Sequence, residues 1–466
     1  MGEREILKLD INSLPDFQKE LHFTNSTDVK DRVYSRFTYM IEKYSWSIHN
    51  KVKMFHTLSQ NVGDEVVYTA SKKFDVLFKS ELHIPLLPIK VRKEYKDIIQ
   101  ICYGHNLGHN IPYQAEVKID DDHYQGHDSI WLDIHAMFFM KPGTGMRDHY
   151  NLMIGNIPCL EEWAVELPGL VLTPPQPFSY ARNTRTGIKM LQSSMNTITH
   201  HYKIRNKIPE ILRMREKTTD GWKEIPCNMD YLLTPKNTDR LPIPELWGRY
   251  GLMTDEEREW FKLDVVNKPN ICYIEDILSF KSDVCSYGSK ETIQIRDKAP
   301  CKALFWVAQN VTALKNRNFS NYTTNSDNLF NGWNPCSKVD IKYGETHRAK
   351  KLSREHFDQS EAWDFFPSAP SEPAYNAYAL GYDFNSIRNT DTGIILDLIH
   401  GSLCIRLADT NPFKSLDILS DSPSEDCDEK NESENQEFII HVRALVCKKM
   451  EMIWNDPKLT YKITPK

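Results

Sequence analysis

The sequence predicts an all-β chain with two strand-rich halves of sandwich or jelly-roll type. Three observations carry that prediction. Aromatic residues make up 11% of the 466 residues, with 21 Tyr, 20 Phe and 10 Trp, a composition that favours strands. Many short runs of strand-like composition are separated by long, turn-rich connections, as in sandwiches rather than parallel α/β sheets. Pro outnumbers Gly, 25 to 19, which suits proline-edged loops and not a glycine-looped nucleotide enzyme. The length allows two to four domains at about 100–200 residues each. With 40% hydrophobic and 26% charged residues, the chain can bury a core and is not disordered throughout. A net charge of −6, from 58 basic and 64 acidic residues, gives no global electrostatic case for nucleic-acid binding.

Along the chain, residues 1–30 read as an arm or first edge segment. Strand-like runs follow at Phe37–Ile41, Glu65–Thr69 and Phe74–Phe78, with a turn signal at Asn61–Asp64. Residues 115–119 alternate apolar and polar and lead into Asp120, Asp121 and Asp122. Pro168, Pro174, Pro175 and Pro177 make 168–178 a rigid connector. Residues 205–245 are again proline-punctuated. Thr254, three residues before Glu257, forms a capping box that starts a helix. Further strands are expected at Ile293–Arg296, Ala303–Ala308, Val339–Lys342, Tyr375–Asp383, Ser402–Arg406 and Phe438–Val446. Residues 420–437 are an acidic, low-complexity loop. No fixed-period repeat is visible.

The N-terminal residues carry no apolar stretch, and no run of about 18 apolar residues exists, so neither a secretory leader nor a membrane span is expected. The ten cysteines form no Cys-x-x-Cys pair, and scattered thiols fit a reducing compartment. The sequons at Asn25, Asn310, Asn318, Asn321 and Asn431 are read as chance occurrences in Asn-rich loops.

No catalytic set can be assembled. His105/His109 and His123/His127 stand at i,i+4, a metal-binding spacing on a helix. Gly104, Gly108 and Gly126 argue against a helix there, and on a strand the same spacing is about 13 Å. They are read as loop histidines, and Asp120–Asp122 as a solvated turn. Gly143-Thr144-Gly145 reads as a turn. The basic stretches Lys90–Lys96 and Lys203–Lys217 read as solvated strand faces. No catalytic, cofactor-binding or metal-ligating residue is therefore assigned.

A string of segments carries a family resemblance. They are Val29–Ile48, Val62–Leu82, Ala115–Phe139 with Trp131-Leu132-Asp133-Ile134, and Tyr150–Pro158 with its Ile-Gly-Asn-Ile-Pro sequence. Pro177–Asn183, Leu252–Arg258 and Asn270–Phe280 follow. The second half adds Pro300–Val307, Tyr375–Ile387 and Phe438–Ile453. In this order they resemble the double jelly-roll major capsid proteins of nucleocytoplasmic large DNA viruses. Two stretches depart from the pattern. The Pro-Gly-Leu-Ala-Leu-Pro continuation is replaced by Thr184–Leu191, and the Gln-Pro-Ser-Gly stretch is missing, which marks a divergent member.

The resemblance implies two consecutive eight-stranded antiparallel jelly-roll barrels with long loop insertions and few short helices. It places an N-terminal arm at 1–27, the first jelly roll at 28–262, a linker at 263–290 and the second jelly roll at 291–466. Insertions at 205–250, 310–335 and 420–437 are expected as surface loops. The implied function is structural: a homotrimer of pseudo-hexagonal outline that meets neighbouring capsomers, minor capsid proteins and a penton protein. Neither direct nucleic-acid contact nor a cofactor is implied. The implied location is the virion capsid, assembled in the host-cell cytoplasm. The alternatives are a minor capsid or scaffold protein of the same lineage, and a jelly-roll carbohydrate-binding protein or enzyme.

Overall fold

The computed structural model describes residues 47–58, 65–140, 144–182, 187–190, 197–219, 221–267, 270–295, 299–344, 346–380, 394–395, 401–408, 436–455 and 458–463. Contacts set Met1–Ser47 apart from Ile48–Lys466, and the architecture below is that of the second unit. The expected arm, the run at Phe37–Ile41, the turn at Asn61–Asp64 and residues 420–435 lie outside the described residues.

The first half is two sheets. One runs β1 (Ser47–Lys53), β16 (Glu245–Met253), β4 (Val76–Pro85), β10 (Val171–Leu172), with β11 (Ile188–Lys189) also on β4. The other runs β2 (Phe55–Leu58), β3 (Glu65–Thr69), β12 (Ile198–Lys203), β7 (Gln114–Ile119), β8 (Asp122–Asp128). Two small sheets decorate the connections. One joins β6 (Ile99–Tyr103) to β13 (Leu212–Thr218) and β14 (Gly221–Ile225), the other β5 (Ile89–Val91) to β9 (Glu166–Leu167) and β15 (Leu232–Leu233).

The second half repeats the plan. One sheet runs β17 (Asn270–Ser286), β25 (Glu437–Asn455), β19 (Pro300–Asn310), β22 (Asn376–Ala379), with β23 (Ile394–Ile395) on β19 and β26 (Lys458–Ile463) on β25. Its partner runs β18 (Lys290–Gln294), β24 (Gly401–Leu407), β20 (Cys336–Tyr343), β21 (Thr346–Ser353). If the main strands of each half are counted in chain order, both halves show sheet orders 1-8-3-6 and 2-7-4-5. This is a jelly-roll topology, twice. The repeat is therefore topological, and the sequence carries no period that would reveal it.

Alternation explains the strands. Ala115, Val117 and Ile119 of β7 and Ile198, His200 and Tyr202 of β12 are buried, while the residues between them are more exposed. A one-residue slip would turn both sets out of the core, so register is fixed. Asp120 and Asp121, at φ 52° and 69°, form the two-residue turn between β7 and β8, a conformation that Asp tolerates better than most residues. The first core gathers Tyr68, Leu77, Ile84, Tyr180 and Leu246. The second gathers Trp306, Phe357, Leu403, Ile405 and Ile440.

Helices α1 (Leu107–Asn110), α2 (Ser129–Phe138) and α3 (Thr144–Ile154) interrupt the first half. Helix α1 holds His109, expected as a loop histidine, and α3 starts within Gly143-Thr144-Gly145, expected as a turn. Helix α4 (Asp255–Asn267) starts where the capping box places it, with the Thr254 hydroxyl accepting the Glu257 amide at 3.3 Å. The stretch 263–290, expected as a linker, instead holds the end of α4, all of β17 and the first residue of β18. β17 pairs with β25 along almost its whole length, so its backbone groups find partners in the second half. The connection 310–335 is polar but not a surface loop. Asn310, Asn318, Asn321, Thr323 and Thr324 are buried. Asn310 Oδ1 accepts the amides of Thr312 and Ala313, and Asn321 Nδ2 donates to the Asn325 carbonyl at 2.7 Å. The sequon asparagines Asn310 and Asn321 are thus occupied as structural side chains, and the third, Asn318, is buried.

Truncating the fully buried Trp306 to Ala removes the centre of the second core. Urea unfolding should show a loss of about 3–5 kcal/mol. An unchanged midpoint would contradict this packing.

Candidate functional site

The candidate site is the seam that joins the two sandwiches, and it begins with strand β19. Leu304, Trp306 and Ala308 point into the second core. Ala303, Phe305 and Val307, on the opposite face, join a third core with Ile130, Trp131, Ile134, Met137 and Phe138 of α2. Every residue from Cys301 to Asn310 is buried. The strand lies between two apolar layers, one from each half.

The seam is aromatic at its centre. Trp131 and Phe305 meet edge to face with ring centroids 5.5 Å apart, and Phe138, Phe305 and Phe366 lie 5.2–5.4 Å from one another. Such pairs contribute about 0.5–1.5 kcal/mol beyond area burial.

Charged groups flank this centre and cross it. Asp128 caps α2, accepting the Trp131 amide at 2.9 Å, and also binds Arg443 of β25 at 2.6 Å and 3.2 Å. Asp133, on the same helix and fully buried, accepts from Asn106 Nδ2 at 2.9 Å, His109 Nδ1 at 2.7 Å and the Tyr322 hydroxyl at 2.7 Å. The other nitrogen of His109 lies 2.8 Å from the Tyr150 hydroxyl. Three donors satisfy a carboxylate that would otherwise be costly to bury. Burial, reinforced by Asp133, holds the Tyr322 hydroxyl well above its ordinary pKa.

Two histidines sit between carboxylates of different halves. His105 places Nδ1 2.7 Å from Glu161 and Nε2 3.1 Å from Glu372. Burial acts to lower its pKa, but the Glu372 and Glu161 carboxylates outweigh it and hold the ring well above 6.5. His123 places Nδ1 2.7 Å from Glu116 and Nε2 3.0 Å from Asp276 of β17. The hydrogen bonds to those two acids raise its pKa. Burial pushes Asp276 up, yet His123 and Lys448 together bring it down to about 2. Ser179 adds a neutral tie, accepting the Glu275 amide at 3.0 Å and donating to the Glu275 carbonyl at 3.1 Å.

The members of the two sequence-flagged histidine pairs thus take different partners. His105, His109 and His123 serve the seam. His127 is buried edge to face against Phe178 at 4.7 Å, and burial lowers it to about 4. Sequence reasoning missed Asp133, Asp276, Arg443 and Lys448. The signal was present as single charged residues inside apolar runs, such as Asp133 in Ile130–Ile134.

The basic stretches also find protein partners. Lys90 pairs with Glu166 at 2.5 Å. Arg213 pairs with Glu224, and Arg215 stacks between Trp163 and Trp222 at 4.6 Å and 4.7 Å. Beside the seam an open groove of about 990 Å³ is lined by Phe330, Trp333, Arg354, Asp358 and Glu372. Arg354 covers Trp333 at 5.1 Å, which takes up ring surface that a sugar would need.

Comparison with known proteins follows the two halves. Residues 35–185 match the family profile described as major capsid protein N-terminus, and residues 264–392 match large eukaryotic DNA virus major capsid protein. The chain is 21% identical over 397 residues to a major capsid protein of Tipula iridescent virus, covering 77% of this chain and 80% of that one. It is 22% identical over 388 residues to a major capsid protein of Simulium iridescent virus, covering 77% and 78%. In fold it is similar to a chain of the PBCV-1 virus capsid, with TM-score 0.67 at 11% identity, covering 92% and 100%.

Two outcomes test the seam. Replacing Asp128 with Ala strands the buried Arg443 and uncaps α2, so chemical unfolding should show a loss of about 3 kcal/mol or more. A loss below about 1 kcal/mol, the range of a surface pair, would contradict it. His105 has a raised folded pKa, so its contribution is complete below about 6.5 and is lost as pH rises through the folded value. The difference in melting temperature between wild type and His105→Gln should therefore shrink between pH 6 and pH 9. A difference that stays constant with pH would contradict the clamp.

Proposed function

We propose that this chain, which belongs to the major capsid proteins of large eukaryotic DNA viruses, works as a homotrimer. It is a structural capsid protein and not an enzyme. The reading rests on one observation above all: the same jelly-roll topology occurs twice, and a shared apolar core fixes the two copies together. Three chains then present six similar lobes, a pseudo-hexagonal outline that tiles a flat facet. We assign β17 to the second lobe, so that the boundary between lobes falls at α4 rather than across 263–290.

In a closed ring each contact is heterologous, so one lobe must meet a different lobe of its neighbour. Neighbouring capsomers, minor capsid proteins and a penton protein are the partners this role calls for, with no direct contact to nucleic acid. Assembly in the host-cell cytoplasm goes with ten scattered cysteines, none of them in a Cys-x-x-Cys pair.

Mass measurement tests the proposal. The purified protein should run at three times its 54.4 kDa chain mass, with a hexagonal outline in negative stain. A stable monomer at high concentration would contradict it.

A further inference from the structure

The segment 174–182 bridges the first sandwich and β17. Phe178 is fully buried in the first core. The Ser179 amide donates to Gln125 Oε1 of β8 at 2.7 Å, while its hydroxyl engages the backbone of Glu275 on β17. Pro174, Pro175 and Pro177 have no N–H to give to a ladder, so side chains carry much of the attachment.

Two buried histidines grip the aromatic residues of this segment. His127 of β8 meets Phe178 edge to face at 4.7 Å. His200 of β12 meets Phe178 at 5.9 Å and Tyr180 at 6.1 Å, also edge to face. His200 Nε2 lies 2.7 Å from the Tyr180 hydroxyl, which in turn lies 2.7 Å from Ser80 Oγ of β4. Among the described residues, no group stands at hydrogen-bond distance from either nitrogen of His127 or from Nδ1 of His200.

The surroundings suit neutral rings. An imidazolium would bring two N–H donors and a charge into an aromatic core. Asp128, Gln176 and Asp276 favour a charge on His127, and His109 opposes it. Those groups are already engaged: Asp128 with Arg443, Asp276 with Lys448 and His123, and the Gln176 oxygen with the Tyr202 hydroxyl at 3.2 Å. Around His200, His201 opposes a charge, Val117 is the neighbour on β7, and Tyr68 on β3 gives its hydroxyl proton to the Pro244 carbonyl. Burial lowers His127 to about 4 and His200 to about 3. His441 of β25 differs, because it is only half-buried and Gln309 Oε1 lies 3.1 Å from its Nε2.

We infer that segment 174–182 is an acid-released strap: when His127 and His200 take up protons, Phe178 and Tyr180 leave the first core and the segment detaches, while the seam stays closed. The neutral rings stabilise the docked strap fully above about pH 6.5, and that contribution falls away as pH drops toward 4. His105 and His123 act in the opposite sense, since both are raised by their carboxylate partners and their contribution is complete in acid. Acid thus frees one strap without parting the lobes, whatever the oligomeric state.

Hydrogen exchange of the full chain, read by mass spectrometry from pH 7.5 to pH 5 and corrected for intrinsic rates, tests the strap. Below pH 6.5, peptides covering 174–182 should open about tenfold more readily per pH unit for each histidine, while peptides of α2 and β19 keep their protection. In a His127→Phe, His200→Phe variant the opening of the strap should no longer vary with pH. If that variant fails to fold, His127→Gln and His200→Gln are made singly, and each should halve the logarithmic slope. Strap protection that does not change with pH, or a slope that survives in the folded variants, would overturn the inference. So would α2 and β19 opening together with the strap, because acid would then unfold the molecule rather than release one segment.

Discussion

Strand β19 has no face turned to water. Leu304, Trp306 and Ala308 fill the second sandwich, and Ala303, Phe305 and Val307 fill the seam. A strand buried on both faces needs a second layer, and α2 of the first half supplies it. The arrangement explains why a helix of ten residues interrupts an otherwise β architecture. It also explains why Asp128 has two partners: the same carboxylate caps the helix and binds Arg443 on the sheet the helix covers.

The polar groups of the seam obey a single rule. Each buried charge is answered by a group of opposite sign or, for Asp133, by three hydrogen-bond donors. Lys448 and His123 meet Asp276, and His105 lies between Glu161 and Glu372. Buried pairs of this kind add little net stability, but losing one partner is expensive. Their effect is to specify one relative placement of two lobes whose apolar faces alone would tolerate several. For a shell subunit that placement matters, because an error between lobes would be repeated at every lattice contact. The histidines make the specification depend on pH, through rings that stay charged when a free histidine would be neutral.

Much of the fold was legible in the sequence where one face of an element is wet. The alternation at Ala115–Ile119 and the cap at Thr254 are local signals, and local physics decides them. Legibility failed where tertiary contact covers both faces. Helix α2 carries no helical signal because a helix buried on most sides loses its polar stripe, and a short apolar run has no period to read. Residues 263–290 look like a linker because the exposed positions of β17, such as Tyr273 and Val284, break its hydrophobic pattern. Asn310 and Asn321 look like loop because they donate to backbone carbonyls within the same segment. The paired histidines invited a metal reading, while their carboxylate partners Glu161, Glu372 and Asp276 lie 56 or more residues away in sequence. That distance is what sequence spacing cannot cross.

The central claim is that the seam makes the two sandwiches one cooperative body. Native-state hydrogen exchange measures this directly, by comparing the opening free energies of amides in α2 and β19 with those of each sandwich core. The account predicts that α2 and β19 exchange only through the same global opening as β12 and β24. If α2 and β19 instead exchanged through a cheaper opening that left both sandwich cores protected, the two lobes would be separately stable bodies and the account would be wrong.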